Sequence, residues 1–187
     1  NIQPDIVIFG KCLGNGYPIT AILGKKKYLN IASKSFISST FWTENSGFVA
    51  ALKTLEIMKK KKTYLMIKKT GKKIKNIWKN ISMKYNVPIK IYGLDSIPTF
   101  RILSNNYAKY KTLITQEMLK KNILATNTIY VSTAHKEEYL KKYKIILDDI
   151  FLKIKKCEDK KLSIKKILKS KVSNSDFNRL TSWWKDY

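Results

Sequence analysis

The residue with the most distinctive chemistry in this chain is Lys11, which directly follows an apolar run. The four apolar residues 6–9 predict a strand that is buried on both faces of a sheet, and Gly10 ends it. Because removing an amine from water at the end of such a strand is costly, the lysine needs a chemical reason to be there. The reaction open to it is a Schiff base with a carbonyl cofactor. The alternative is a surface lysine whose alkyl stem covers a core strand.

A tight loop between two strands would hold this lysine in place. Residues 19–23 predict the second strand, and Gly24 closes it. Between the strands, Gly14 and Gly16 predict a turn with positive φ, where glycine is the least strained residue. A short surface helix is expected over residues 25–33.

The remaining elements follow from hydrophobic periodicity. From Ser46, a candidate helix cap, apolar residues recur at helical spacing, and a second helical stripe covers residues 67–81 with Gly71 as a weak point. The pattern fits one long helix or two helices joined near Lys60. Further along, the pattern predicts strands at 87–93, 97–103 and 128–133 and helices at 107–121, 134–157 and 162–169.

These elements predict an α/β part followed by an α+β part. Residues 1–58 are expected to be the last part of a larger α/β domain. Residues 59–83 are a helical connector. Residues 84–187 form a small domain with a short antiparallel sheet, helices and an irregular tail.

The chain of 187 residues has a net charge of +25, which by itself favours a polyanion-binding domain. Against nucleic acid, only Arg101 and Arg179 are arginines, and the other basic residues are lysines spread along predicted helices. Proteins that clamp phosphates or read bases rely on the bidentate arginine side chain. Abundant Lys, Asn and Ile instead indicate drift in an AT-rich genome, and a polyanion-binding role stays as the alternative.

Other classes of protein are disfavoured by what the sequence lacks. No apolar run reaches the roughly 20 residues that span a bilayer, and residues 1–4 do not resemble a signal peptide. Cys12 and Cys157 are too few and too far apart for a disulfide framework or a zinc site. We therefore expect no metal, no membrane association and a cytoplasmic location.

The stretch PDIVIFGKCLGNGYPITAILG, followed by SFISSTFWTENSGFVAALKTLEIM, resembles class III aminotransferases, which have fold type I and use pyridoxal 5'-phosphate. The resemblance implies that Lys11 carries this cofactor as the internal aldimine and relays the proton during amino transfer. It also implies that Thr40, with Ser39, contacts the cofactor phosphate of a neighbouring subunit. A homodimer with a shared active site and a small amino or keto substrate would follow.

The second half is similar to the small C-terminal domain of the glutamate-1-semialdehyde 2,1-aminomutase branch, and the supporting segments include Gln116-Glu117-Met118-Leu119 and Ser132-Thr133-Ala134-His135. The closing segment, with Cys157, residues 164–168 and residues 177–180, resembles enzymes of that branch linked to surface-polysaccharide amino sugars. Many relatives hold the substrate α-carboxylate with an arginine in the last strand of this domain, but residues 128–132 contain none. This departure favours an aminomutase or a sugar aminotransferase.

The resemblance also implies that the cofactor's phosphate loop and the aspartate for its ring nitrogen precede Lys11. The chain is thus expected to be the C-terminal portion of an enzyme of roughly 400 residues, and to be inactive alone. The alternative is an inactive remnant that serves as a folding or interaction module.

Overall fold

A computed structural model describes residues 2–40 and 43–173 of the chain. In order, the elements are β1 (Ile6–Phe9), β2 (Ala21–Gly24), α1 (Lys26–Leu29), a 3-10 helix (Asn30–Lys34), α2 (Ser46–Lys61), α3 (Thr63–Tyr85), β3 (Ile89–Tyr92), β4 (Thr99–Ile102), α4 (Tyr107–Leu119), α5 (Glu137–Glu158) and α6 (Ile164–Ile167). The chain divides into two compact units, the first ending at Tyr64 and the second beginning at Leu65. Arg179 and the end of the expected tail lie outside the described residues.

In the first unit, β1 and β2 form an antiparallel two-stranded sheet. The register pairs Ile6 with Gly24 and runs to the pair of Phe9 and Ala21. At the open end of the hairpin, the Lys25 ammonium lies 2.6 Å from the Asp5 carboxylate, and the Lys25 N–H donates to the Asp5 carbonyl at 3.0 Å. The expected pair of strands is confirmed, and the loop that carries Lys11 connects them directly.

The expectation that β1 is buried on both faces is wrong for this chain. Ile6 is 48% exposed, Ile8 is 72% exposed and Phe9 is 47% exposed. The apolar composition is typical of a strand in a larger covered sheet, but within the described ranges β1 pairs only with β2. The apolar composition of β1 indicates that the strand is suited to a buried position. Whether it is buried also depends on which elements pack against it.

The sequence allowed one long helix or two helices between Ser46 and residue 81, and two helices are observed. Lys62 has left-handed backbone geometry with φ of 48° and separates α2 from α3. Its N–H donates to the carbonyl of Met58, so this residue ends α2 in the way that glycine commonly does. The break falls within the lysine-rich run, where the apolar stripe is interrupted.

In the second unit, β3 and β4 pair antiparallel, with Ile89 opposite Ile102 and Tyr92 opposite Thr99. The third strand expected at residues 128–133 is not formed as a regular strand. A single antiparallel bridge joins Thr99 to Thr128. Farther along, the Val131 N–H donates to the Ser96 carbonyl at 2.9 Å. The segment therefore follows the sheet edge without a full ladder of hydrogen bonds.

The core of the second unit lies between this sheet and α3, α4 and α5. Trp78 and Phe100 are fully buried, with ring centroids 4.7 Å apart, and Phe151 continues the aromatic contact at 6.1 Å from Phe100. The apolar stripes of the three helices supply most of the rest of the core, including Ile74, Ile81, Tyr110, Leu113, Ile114, Met118, Leu147, Ile150 and Ile154. The stripe predicted over residues 67–81 is confirmed at Ile74, Trp78 and Ile81, which form the buried face of α3.

Glu117 on α4 is a mostly buried carboxylate with three hydrogen-bond donors. The Lys153 ammonium donates to it at 2.9 Å, the Gln116 amide also at 2.9 Å, and Lys120 is its third donor. Burial acts to raise the pKa of Glu117, but hydrogen bonds from Lys120, Gln116 and Lys153 outweigh it and lower the pKa to about 2. This carboxylate links α4 to α5.

We expect Glu117→Gln to lower the free energy of unfolding by about 1–2 kcal/mol at neutral pH. Because the folded pKa is depressed, the carboxylate stabilises the fold above its ordinary pKa of 4.5, and that contribution disappears as pH falls toward about 2. Urea titrations between pH 7 and pH 2 measure the difference in the free energy of unfolding between the parent and the Glu117→Gln variant. Glu138→Gln on the exposed first turn of α5 is the matched control. If this difference in unfolding free energy stays constant with pH, the stabilising role of the Glu117 carboxylate is contradicted.

Candidate functional site

The loop carrying Lys11 begins with a tight turn immediately after β1. The Leu13 N–H donates to the Gly10 carbonyl at 3.1 Å, and Lys11 has a positive φ of 43°. A non-glycine residue in this left-handed region is uncommon and marks a locally strained backbone. The φ of Gly16 is 114°, which confirms one of the two expected positive-φ glycines, while Asn15 between them has φ of 47°.

Close packing inside the loop explains why Gly14 is a glycine. A Cβ atom there would lie 2.2 Å from the Tyr17 carbonyl oxygen, closer than any packing allows. At the same end of the loop, a Cβ atom on Gly47 would lie 3.2 Å from both the Pro18 oxygen and Ile19 Cβ. The first turn of α2 therefore packs against the loop through a glycine, which positions the loop against a helix N-terminus.

The Lys11 side chain is exposed in this structure, as is the neighbouring Cys12. The expectation of a desolvated amine at a buried strand end is therefore wrong here, for the same reason that β1 is uncovered. An exposed amine is nevertheless accessible to a carbonyl compound, so its covalent chemistry does not depend on burial alone.

Ser39 and Thr40 are exposed and lie after the 3-10 helix, outside any helix or strand. Within the described ranges, no hydrogen bond joins either hydroxyl to Lys11. Lys11, Ser39 and Thr40 thus lie in the same unit, but neither hydroxyl is hydrogen-bonded to the Lys11 amine. Their expected roles remain predictions.

Glu44 is the residue of this region whose structural role the sequence pattern did not reveal. Its carboxylate accepts hydrogen bonds from the Ser46 hydroxyl at 2.6 Å, the Ser46 N–H at 2.9 Å and the Gly47 N–H at 3.4 Å. The hydrogen bond from the Ser46 side chain, followed by that from the Ser46 backbone, lowers the pKa of Glu44. Glu44, and not Ser46, caps α2; an acidic residue two positions before a helix start was the available signal.

Arg101 on β4 is one of the two arginines in the sequence. Its guanidinium lies 4.7 Å from the centroid of the Tyr107 ring, an arrangement that stabilises cation and ring together. This contact gives Arg101 a packing role on β4. Across the described ranges, no group of three or more His, Cys, Asp or Glu side chains is arranged to hold a metal ion. Nor is any described helix long and apolar enough to cross a membrane.

Most of the chain, including the residues of the Lys11 loop, matches the model of a known family. The model of the family described as "Aminotransferase class-III" matches residues 1–142. The chain therefore belongs to the class III aminotransferase family.

Curated relatives agree with this membership and show how much of the family's length is present. Over 126 residues, the chain is 31% identical to the 3-aminobutyryl-CoA aminotransferase of Cloacimonas acidaminovorans, covering 65% of this chain and 30% of the relative. Over 144 residues, it is 28% identical to the glutamate-1-semialdehyde 2,1-aminomutase of Methanosphaera stadtmanae, covering 73% of this chain and 34% of that enzyme. The chain spans about a third of the length of these relatives.

Solved structures show the same fold. The FumI protein of Sphingopyxis sp. MTA144, solved in its PLP internal aldimine form, superposes with a TM-score of 0.77 at 23% identity, over 89% of this chain and 41% of that one. An acetylornithine aminotransferase from Elizabethkingia anophelis gives a TM-score of 0.69 at 22% identity, over 81% and 41% of the two chains. The α/β and α+β parts are thus those of fold type I transaminases.

Proposed function

We propose that this chain supplies the lysine-bearing part of a pyridoxal-phosphate-dependent enzyme that transfers an amino group, as an aminotransferase or a 2,1-aminomutase. The observation that carries the proposal is the family match over residues 1–142, within which Lys11 occupies a strained turn after β1. Since the chain spans about a third of the relatives above, the remaining cofactor contacts must come from residues that it does not contain.

The groups present suit such a cofactor. Lys11 offers an accessible primary amine, which is the group that condenses with an aldehyde. Ser39 and Thr40 offer exposed hydroxyl donors, which suit a phosphate oxygen. Bound there, pyridoxal phosphate would supply an electron sink that stabilises negative charge on the substrate carbon.

The chain's own residues would then hold the cofactor and move the proton. Lys11 Nζ would hold the cofactor covalently, and an amino substrate would release it. The freed Nζ, when neutral, would accept a proton from the substrate carbon that bears the amino group and pass it to the cofactor carbon. The packing of Gly47 against Pro18 and Ile19 keeps the lysine loop in register with α2 during these steps.

In this proposal the active site is shared between two subunits of a homodimer. Thr40, assisted by Ser39, donates its hydroxyl to the cofactor phosphate held by the neighbouring subunit. The lack of any described hydrogen bond between Thr40 and Lys11 of the same chain is compatible with such an arrangement. A symmetric dimer would then contain two equivalent sites.

Replacing Thr40 by valine is expected to weaken pyridoxal phosphate binding about tenfold, because one hydrogen bond to a charged phosphate is lost at nearly constant volume. Cofactor absorbance during equilibrium dialysis of the full enzyme measures this change. Thr43→Val, at an exposed position three residues later in the sequence, is the matched control and should bind as the parent does. Unchanged affinity in Thr40→Val would contradict the phosphate contact.

Mixed dimers test whether the site is shared. When Lys11→Ala and Thr40→Val subunits are combined, a shared arrangement produces one site with both Lys11 and Thr40 intact. That site should bind the cofactor with parental affinity, and half of the sites in the mixed dimers should behave in this way. If Thr40 serves its own subunit, every lysine-bearing site lacks the hydroxyl, and no parental affinity returns.

Two features of the chain favour a narrower class of substrates than membership of the family implies. Residues 128–132 contain no arginine, and Arg101 packs on Tyr107. An arginine clamp for the substrate α-carboxylate is therefore absent from that segment, which supports an aminomutase or an amino-sugar aminotransferase in surface-polysaccharide synthesis. We place the enzyme in the reducing cytoplasm, where the exposed Cys12 thiol would persist.

A folding or interaction module is the second candidate function. It is favoured by the exposed apolar side chains of the first unit, because soluble proteins rarely present many of these without a partner. Those on α2 include Phe48, Val49, Leu52 and Leu55. This candidate predicts association without cofactor, and cofactor-independent dimerisation of Lys11→Ala combined with absent amino transfer in the parent would favour it.

A further inference from the structure

A cavity in the second unit has features that the proposed amino-transfer chemistry does not use. It has a volume of about 400 Å³ and lies between the start of α5, residue 74 of α3 and the segment after α4. This size falls within the range of small-molecule sites in proteins. Its wall is mainly apolar, with Ile74, Ala125, Ile129 and Leu140 among the lining residues. An aliphatic body would therefore fit the wall.

Tyr143 is a buried residue of the cavity lining whose hydroxyl group has an unused hydrogen-bond donor. The residue lines the cavity and is only 5% exposed. Its hydroxyl oxygen accepts from the Trp78 indole N–H at 2.8 Å, but within the described ranges its proton has no acceptor. Burial raises the pKa of Tyr143, so this proton stays in place at neutral pH. A buried hydroxyl with a free proton favours a ligand that carries an acceptor.

His135 and Lys142 add two more donors at the same cavity. The Ser132 N–H donates to His135 Nδ1 at 2.9 Å, so the neutral ring carries its proton on Nε2. Lys142, on α5, brings a positive charge, and no aspartate or glutamate is among the lining residues. Tyr143, His135 and Lys142 are thus suited to an acceptor, and the positive charge of Lys142 favours an anion.

We propose that this cavity binds a small amphiphilic carboxylate, with its aliphatic body against the apolar wall. Its carboxylate accepts hydrogen bonds from Tyr143 and His135, and Lys142 supplies the countercharge. The proposal is independent of Lys11 and of the cofactor, because every residue it uses lies in the second unit.

Isothermal titration of the full chain with octanoate tests the proposal. We expect saturable binding that is at least about tenfold tighter than for 1-octanol, which lacks the charge. Lys142→Gln should weaken octanoate binding by about threefold to fivefold. Lys141→Gln, which removes the same charge from the adjacent position outside the cavity lining, should leave affinity unchanged. Equal losses in both variants would show a general charge effect and overturn the proposal.

A filling substitution separates this cavity from other apolar surfaces. Ala125→Trp should abolish octanoate binding, while circular dichroism confirms that the variant is folded. Binding retained in Ala125→Trp would place octanoate elsewhere and overturn the proposal, as would absence of binding to the parent. If that variant does not fold, methyl NMR of the parent decides: octanoate should shift Ile129 and Leu140 signals and leave Leu55 unchanged.

Discussion

Replacing Lys11 by alanine is expected to lower the rate of amino transfer by about a thousandfold or more in the full enzyme. The variant loses both the amine that holds the cofactor and the base that moves the substrate proton, and general acid–base catalysis alone is commonly worth about 10²–10⁴-fold. The measurement is kcat for amino transfer with saturating pyridoxal phosphate. Saturation is needed so that weaker cofactor binding does not imitate a loss of chemistry.

Lys34→Ala is the matched control for this experiment. Lys34 is an exposed lysine of the same unit, and it takes part in none of the described ion pairs. It should retain parental kcat. A Lys11→Ala enzyme that keeps most of the parental kcat would contradict the catalytic assignment, because no other group is proposed to move the proton.

Gly71→Ala is expected to destabilise the second unit by about 2–3 kcal/mol, although alanine is the better helix former. Gly71 lies inside α3, and a Cβ atom there would lie 1.7 Å from the Asp95 carbonyl oxygen. The turn at Asp95 is also tied to the helix by an ion pair of 2.9 Å with Lys75. Relieving the overlap must displace backbone, which costs more than the roughly 1 kcal/mol gained in helix propensity.

Urea unfolding of the parent and of two variants measures this effect. Asn76→Ala introduces the same residue at an exposed position of the same helix, and it should be neutral or slightly stabilising. A Gly71→Ala protein more stable than the parent would show that the helix and the Asp95 turn are not in contact. The sign of the change is therefore the informative result.

Gly71 also shows where sequence reasoning about the fold succeeded and failed. The periodicity of Ile74, Trp78 and Ile81 predicted α3 and its buried face. The pattern also marked Gly71 as a weak point, because propensity considers one helix in isolation. The structure shows a glycine required by a contact with a turn 24 positions later, information that no local window contains.

The strands give the same lesson in another form. The composition of β1 predicted a strand correctly but its burial wrongly, since burial needs partners that the described residues do not supply. The segment beginning at Thr128 has strand composition, yet only one bridge to Thr99 forms. The residue types of a segment indicate which backbone conformation is favourable. Whether a full ladder of hydrogen bonds forms depends on how the segment packs along the edge of the sheet.

At the candidate site, the sequence identified the reactive residue better than its supporting contacts. Lys11 stood out because its chemistry and its place after an apolar strand are local features. The capping role of Glu44 was missed because Ser46 and Asn45 are commoner caps than glutamate. The positive φ of Lys11 was likewise unexpected, since glycine and not lysine usually takes that geometry.

The most direct test of the central claim is to locate the cofactor on the protein. The full enzyme, loaded with pyridoxal phosphate and reduced with borohydride, is digested and its peptides are analysed by mass spectrometry. Our account predicts one stoichiometric pyridoxyl adduct on the peptide containing Lys11, absent after Lys11→Ala substitution. A stoichiometric adduct on a different lysine, or no stoichiometric adduct at all, would contradict it.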